Sequence, residues 1–316
     1  EIDWSGTITL FQRNAISQWD PIQVLQFPSG IVDMEFGSGF GGSVDMDEGV
    51  LVAGARETYG AVSFGNSGEG LALVFEPNES GVWTHQLLEN PDREANAIDG
   101  WITDYGVDVA VSGDWIAVGA TVSAVNEMRP NHLAGVVYLF KRINGTWIYQ
   151  QKVVAPQGNE FDDFGTSVSM HGDRLLVGAP SMVDANNPDD TYMAGRAFYF
   201  ERQANDVWMF QASFEEPQMS AMARFGNVVA IHGNRAIITA SEDHFVAERV
   251  WSTALDSEGN WSDLVAVVPD VDYMGENYGE ALSIDGDYAV IGAPTGVSVA
   301  YLFQWVEDGT WHYVKS

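Results

Sequence analysis

The chain contains no cysteine, so disulfides and thiolate metal sites are excluded, although no compartment follows from that. Basic residues are scarce. Fourteen Lys and Arg stand against 45 Asp and Glu, a net charge of −31. A surface of that sign repels phosphate backbones and anionic lipid, so nucleic-acid and membrane-surface partners are not expected. Apolar runs are short. None approaches the roughly 18 residues of a membrane span, so membrane insertion is not expected. Helical periodicity with caps is missing throughout. Several chemical motifs are missing too. There is no P-loop, no G-x-S-x-G nucleophile elbow and no zinc spacing among the six histidines. Gly37-Ser38-Gly39-Phe40-Gly41-Gly42 fits G-x-G-x-x-G by letter. It precedes a strand, and no helix follows to hold a phosphate.

What the chain does have is a repeat. Phe164 to Trp208 is its clearest copy. It opens on Phe164-Gly165 and alternates to the turn His171-Gly172-Asp173. It continues as an apolar run to Val177-Gly178-Ala179-Pro180, crosses a polar loop to Gly195, then alternates through Ala197-Phe198-Tyr199-Phe200. This reads as four short strands joined by turns, one blade of a β-propeller. The aromatic-Gly pair recurs at Phe40-Gly41, Tyr105-Gly106, Phe225-Gly226 and Tyr278-Gly279. The second strand recurs as Val50–Ala55, Trp115–Ala120, Arg235–Ser241 and Tyr288–Pro294. The third ends at Phe11, Phe75, Phe140, Phe200 and Phe303, and is degenerate near Val250-Trp251. The fourth is expected to begin at Trp19, Trp83, Trp147, Trp208, Trp261 and Trp311. A period of about 50 to 65 residues signals a propeller or an array.

These units resemble FG-GAP repeats, the unit of the integrin α-subunit propeller. They are closest to the variant of secreted and surface proteins with a short Gly-Asp turn between the first two strands. The resemblance runs along nearly the whole chain and implies a fold more than a function. Calcium-binding members carry an Asp-x-Asp-x-Asp-Gly-like loop between the first two strands. Here that place holds Asp45-Met46-Asp47-Glu48-Gly49, Ser112-Gly113-Asp114, His171-Gly172-Asp173, His232-Gly233-Asn234 and Asp285-Gly286-Asp287. These turns are too short to wrap a cation that needs six to eight oxygens, so the family's calcium sites are not carried over.

The expectation is one all-β propeller domain over 1–316. It comprises a half repeat at 1–35, then repeats at about 36–100, 101–159, 160–220, 221–273 and 274–316. The half repeat matches third and fourth strands only. Six blades are favoured, with five or seven as alternatives. A displaced half-blade would leave strand edges unpaired, and the two missing strands then come from sequence outside this chain or from a neighbouring molecule.

Loops from strand two to three, and from strand four to the next blade, are long and share one face, the expected binding face. On it lie the aromatics Trp101, Tyr59, Phe64 and Tyr192, able to stack on sugar rings. The acidic loops offer Asp184, Asp189 and Asp190, and Asp270, Asp272 and Glu276, as hard oxygen ligands. Calcium is thus a candidate ion, while no cofactor is required. Asp104 and Asp163, ahead of aromatic-Gly pairs, read as turn caps. Three sequons, at Asn78, Asn144 and Asn260, sit in the turn before a fourth-strand Trp and are candidate N-glycosylation sites. The reading is a non-catalytic extracellular or cell-surface module for adhesion or recognition, with protein or glycan partners. One alternative is a subunit that binds copies of itself through its incomplete blade, in a filament or surface layer. Another is a polysaccharide-active enzyme, which needs carboxylates or a His or Tyr base to converge.

Overall fold

The computed structural model describes residues 6–28, 39–56, 70–92, 104–121, 134–156, 158, 162–183, 193–217, 223–241, 249–271, 277–294 and 298–316. Among these there is no helix. Twenty-two strands form five four-stranded antiparallel sheets and one two-stranded sheet, the blades of a β-propeller. The chain divides into two compact units, Glu1–Arg129 with Tyr138–Gln150, and Pro130–Val137 with Gln151–Ser316.

The first unit opens with β1 (Thr7–Arg13) and β2 (Trp19–Gln26), paired with each other alone among the described residues. Next comes the sheet β3 (Phe40–Asp47), β4 (Val50–Ala55), β5 (Leu71–Pro77) and β6 (Trp83–Leu88). The third sheet is β7 (Tyr105–Ser112), β8 (Trp115–Ala120), β9 (Val136–Ile143) and β10 (Thr146–Val153). The second unit holds β11 (Ser167–His171) to β14 (Trp208–Phe214), with β12 at Arg174–Ala179 and β13 at Arg196–Arg202. It continues with β15 (Val229–His232), β16 (Arg235–Ala240), β17 (Arg249–Ala254) and β18 (Val265–Ala266). It ends with β19 (Ala281–Asp285), β20 (Tyr288–Ala293), β21 (Val299–Trp305) and β22 (Trp311–Lys315). In every sheet the strands stand in chain order.

The strand β20 exposes Tyr288 and Val290, whereas the second strands of the other four-stranded sheets are covered on both faces. All six residues of β4 and of β8 are buried. The fourth strands β10 and β14 are mostly exposed and bury residues near their two ends, Trp147 and Val153 in β10 and Trp208 and Phe214 in β14. Within a sheet, the ring of the aromatic-Gly pair packs on a third-strand ring: Phe40 on Phe75 at 5.9 Å, Phe164 on Phe200 at 6.0 Å and Tyr278 on Tyr301 at 5.4 Å.

Neighbouring sheets are coupled by side chains of one bonding to backbone of the next. The Ser43 hydroxyl accepts the Val109 amide (3.0 Å), the Asp45 carboxylate that of Val111 (2.8 Å) and the Asp47 carboxylate that of Gly113 (2.8 Å). In the second unit Ser167 and Ser169 accept from Val229 (3.1 Å) and Ile231 (3.0 Å). Farther out, the Gln86 amide both donates to the Trp147 carbonyl (2.7 Å) and accepts the Trp147 N–H (3.0 Å). Gln151 grips Trp208 in the same way. Each bond satisfies a backbone group that the strand ladder leaves open.

Two expectations are corrected. The stretch Asp45–Asp47 belongs to β3 and not to a turn, and its carboxylates serve the next sheet. The fourth strand of the penultimate sheet begins at Val265 and not at Trp261. There the Asp256 carboxylate closes a turn on the amides of Glu258 and Asn260. Ser262 then bonds Thr253, and the Trp261 ring lies 5.0 Å from that of Tyr199 and 5.3 Å from that of Phe214.

Candidate functional site: the end of the sheets with the long connections

The antiparallel order sorts the connections. Turns from first to second strand span two residues, as at Gly172-Asp173, and turns from third to fourth span two to five, except in the penultimate sheet, where 255–264 intervene. Connections from second to third strand, 56–70, 121–135 and 180–195, and from fourth to first, such as 89–104, lie at the opposite end of each sheet.

The short-turn end is committed to structure. Arg174 donates to the Gly233 carbonyl (3.2 Å), in the turn of the next sheet. Arg235 repeats this on Gly286 (2.8 Å), pairs with Asp287 (2.7 Å) and stacks over Trp305. Arg202 pairs with Asp173 and Asp206, and Arg142 with Glu76 (2.7 Å). Four of the 14 cations thus serve joints between strands at this end. His171 and His232, at equivalent turns, stack with ring centres 4.1 Å apart.

At the long-connection end, the residue before the aromatic-Gly pair holds a left-handed backbone in four repeats: Asp104, Asp163, Arg224 and Asn277. The Ser181 hydroxyl donates to the Asp163 carboxylate (2.5 Å), and Thr121 to that of Asp104 (3.4 Å). The turn itself is closed by the carbonyls of Asp104 and Asp163, which accept the Val107 (3.0 Å) and Thr166 (3.1 Å) amides. A polar cavity of about 110 Å³ opens among Asn227, Thr239, Asn277 and Glu280. It lies where Thr239 replaces the glycine found in the other second strands, with its hydroxyl turned to the Val228 amide. A smaller cavity beside Met182 and Arg196, about 10 Å³, holds no more than a water.

Of the predicted ligand and metal residues, Trp101, Tyr59, Phe64, Tyr192, Asp184, Asp189, Asp190, Asp272 and Glu276 lie outside the described residues. Asp270 is described and exposed. Among the described residues no three His, Asp or Glu side chains come together in a way that could hold a metal ion. Asn78, Asn144 and Asn260 are all exposed, in turns between third and fourth strands.

Sequence reasoning missed the acceptor row Ser43, Asp45, Asp47. Its signal was present, as small oxygen-bearing residues at every second position of a first strand, repeated at Ser167 and Ser169. Burial lifts the Asp45 carboxyl above its ordinary value, against the pull of the Val111 amide. Asp45→Ala strands that amide and is expected to cost about 1–2 kcal/mol in urea unfolding at pH 7. Asp45→Asn keeps an acceptor without the charge and is expected to stay within about 0.5 kcal/mol of the parent. Equal losses in both would show that charge and not acceptance matters.

Comparison with known proteins agrees with this architecture. Residues 147–200 match the model of the FG-GAP repeat. No curated protein matches the chain. Among solved structures, one from a study of two prolyl endopeptidases has a TM-score of 0.50 at 14% identity over 87% of this chain. A post-proline cleaving enzyme from Rickettsia typhi gives 0.42 at 11% identity over 86%. The chain spans about a third of the length of each, 35% and 36%. At such identities the likeness concerns fold alone.

Proposed function

We propose that this chain is a non-catalytic extracellular recognition or adhesion module that binds protein or glycan with the long-connection end of its blades. The observation that carries the reading is the segregation of connections. Two-residue turns stand at one end of every four-stranded sheet, and spans such as 56–70, 121–135 and 180–195 at the other. Rigid sheets presenting long, variable segments at one end form a scaffold on which loop sequence sets the ligand. The net charge agrees, because a surface with a surplus of carboxylates favours basic or neutral partners. The sequons occupy the short-turn end, so glycans carried there leave the binding end clear.

The test is binding to glycan and extracellular-protein arrays by the parent chain and by a variant in which 57–69 and 122–133 are replaced by short Gly-Ser linkers. Binding by the parent and its loss in a variant of unchanged Tm is the expected result. Undiminished binding by the variant, or turnover of a polysaccharide or peptide by the parent, would overturn the reading.

A further inference from the structure

The same kind of interface between first strands joins β3 to β7 and β11 to β15, and on the other face of β3 it is uncovered. Positions 44, 109, 168 and 229 are equivalent in the repeat, as are 46, 111, 170 and 231. Val109, Val111, Val229 and Ile231, each facing the preceding sheet of its own unit, are no more than 4% exposed, whereas Val44 is 50% and Met46 59% exposed. The third-strand phenylalanines show the same break. Phe75, Phe140, Phe200 and Phe303 are buried, and Phe11 is 53% exposed. Phe11 stands on β1, whose second edge pairs with no strand among the described residues, and β1 lies against β3.

The occupied copies of this interface state what fits. The neighbour of a first strand places small oxygen-bearing side chains on its amides, as β11 does for β15 through Ser167 and Ser169. A third-strand phenylalanine receives the ring of an aromatic-Gly pair, as Phe200 receives Phe164. The third strand's edge is taken by an apolar second strand, as β13 is taken by β12.

We propose that the free edge of β1 and the Val44–Met46 face of β3 together bind a β-hairpin of this first-and-second-strand type, supplied by polypeptide outside residues 1–316. Its second strand extends the β1–β2 sheet through backbone hydrogen bonds. Its first strand covers Val44 and Met46, and its opening aromatic ring covers Phe11. Strand addition of this kind draws affinity from the backbone and specificity from alternate side chains. An exposed apolar patch beside an open edge is where it occurs.

A synthetic peptide of Phe164–Pro180, FGTSVSMHGDRLLVGAP, carries this pattern and serves as the probe. It is expected to bind the purified chain in calorimetric titration, and at a hundredfold excess over its Kd to raise Tm by about 4 °C. A scrambled peptide does neither. The double variant V44K/M46K changes only exposed side chains, so the free chain keeps its Tm while the peptide binds at least tenfold more weakly. Failure of the peptide to bind the folded chain would overturn the proposal. So would binding indifferent to V44K/M46K. A dimer seen in sedimentation and abolished by V44K/M46K would assign the face to a second copy instead.

Discussion

Gly178→Ala is expected to destabilise the protein by more than about 4 kcal/mol, while Gly292→Ala, at the same position of another repeat, leaves stability unchanged or raises it by up to about 1 kcal/mol. The two glycines share the Val-Gly-Ala or Ile-Gly-Ala ending of a second strand. Neither needs a left-handed backbone, so the difference between them is space alone. A Cβ at Gly178 would stand 1.9 Å from the Gly226 carbonyl oxygen, a backbone atom of the adjoining sheet. Neither strand can yield without breaking hydrogen bonds, because the Gly226 amide is itself held by the Thr239 carbonyl. Gly54 meets the Gly106 carbonyl in the same manner at 2.1 Å. At Gly292 the nearest atom is the Ala281 Cβ at 3.4 Å, an ordinary contact. There the added methyl acts mainly by restricting the unfolded chain. Urea unfolding of both variants decides the matter, and equal effects would show that sheet approach is not what these glycines serve.

Alkali is expected to unfold the protein cooperatively between about pH 11 and 13. Burial pushes the hydroxyls of Tyr105, Tyr138, Tyr199 and Tyr278 above their ordinary value. For Tyr138 the Asp92 carboxylate, which accepts its hydroxyl at 2.9 Å, adds to the rise. Each group stays neutral in the folded protein at a pH where the unfolded chain, titrating near 10, has lost its proton. The folded state then binds more protons, so stability falls as pH rises, by about 1.4 kcal/mol per pH unit for each such tyrosine. Three of them acting together outrun a stability of about 5–15 kcal/mol within a few pH units above 10. Tyrosinate absorbance and near-ultraviolet dichroism should change in one transition. Ionisation of all 11 tyrosines near pH 10 with the fold intact would contradict this account. Tyr105→Phe sharpens the test, since the Tyr105 hydroxyl is buried with no hydrogen-bond partner among the described residues. It should flatten the decline above pH 10 without loss of stability at pH 7.

The blades could be read from the sequence because their signals are local and repeated. Phe164-Gly165, the Leu175–Ala179 run and Phe200 sit where the repeat demands an aromatic, a doubly buried strand and a third-strand ring. The half repeat was legible for the same reason, since Thr7–Phe11 and Trp19–Phe27 match only third and fourth strands. Trp261 misled because the pattern records a ring, not a backbone. Its ring serves the preceding sheet, while the turn closed by Asp256 delays strand pairing to Val265. The acceptor row at Ser43, Asp45 and Asp47 was legible only as acidity, because its partners lie some 65 residues away and, apart from the Asp108 carboxylate on Ser43, are backbone groups without sequence identity. The candidate binding residues belong to connections in which no repeat constrains the choice. Their types suggest chemistry, but their juxtaposition is not written in the pattern.

The coupling between first strands has one more consequence. Asp45 and Asp47 reach across the joint only to amides, which every strand offers whatever its sequence, while Ser43 also donates to the Asp108 carboxylate (2.5 Å). At those two carboxylates the joint is therefore specified from one side only. A duplicated or exchanged repeat arrives already competent to receive its neighbour's side chains, and has to supply only its own acceptors for the next. An array built on such joints can lengthen by duplication of a gene segment, and each copy is then free to diverge in its long connections while the seams persist.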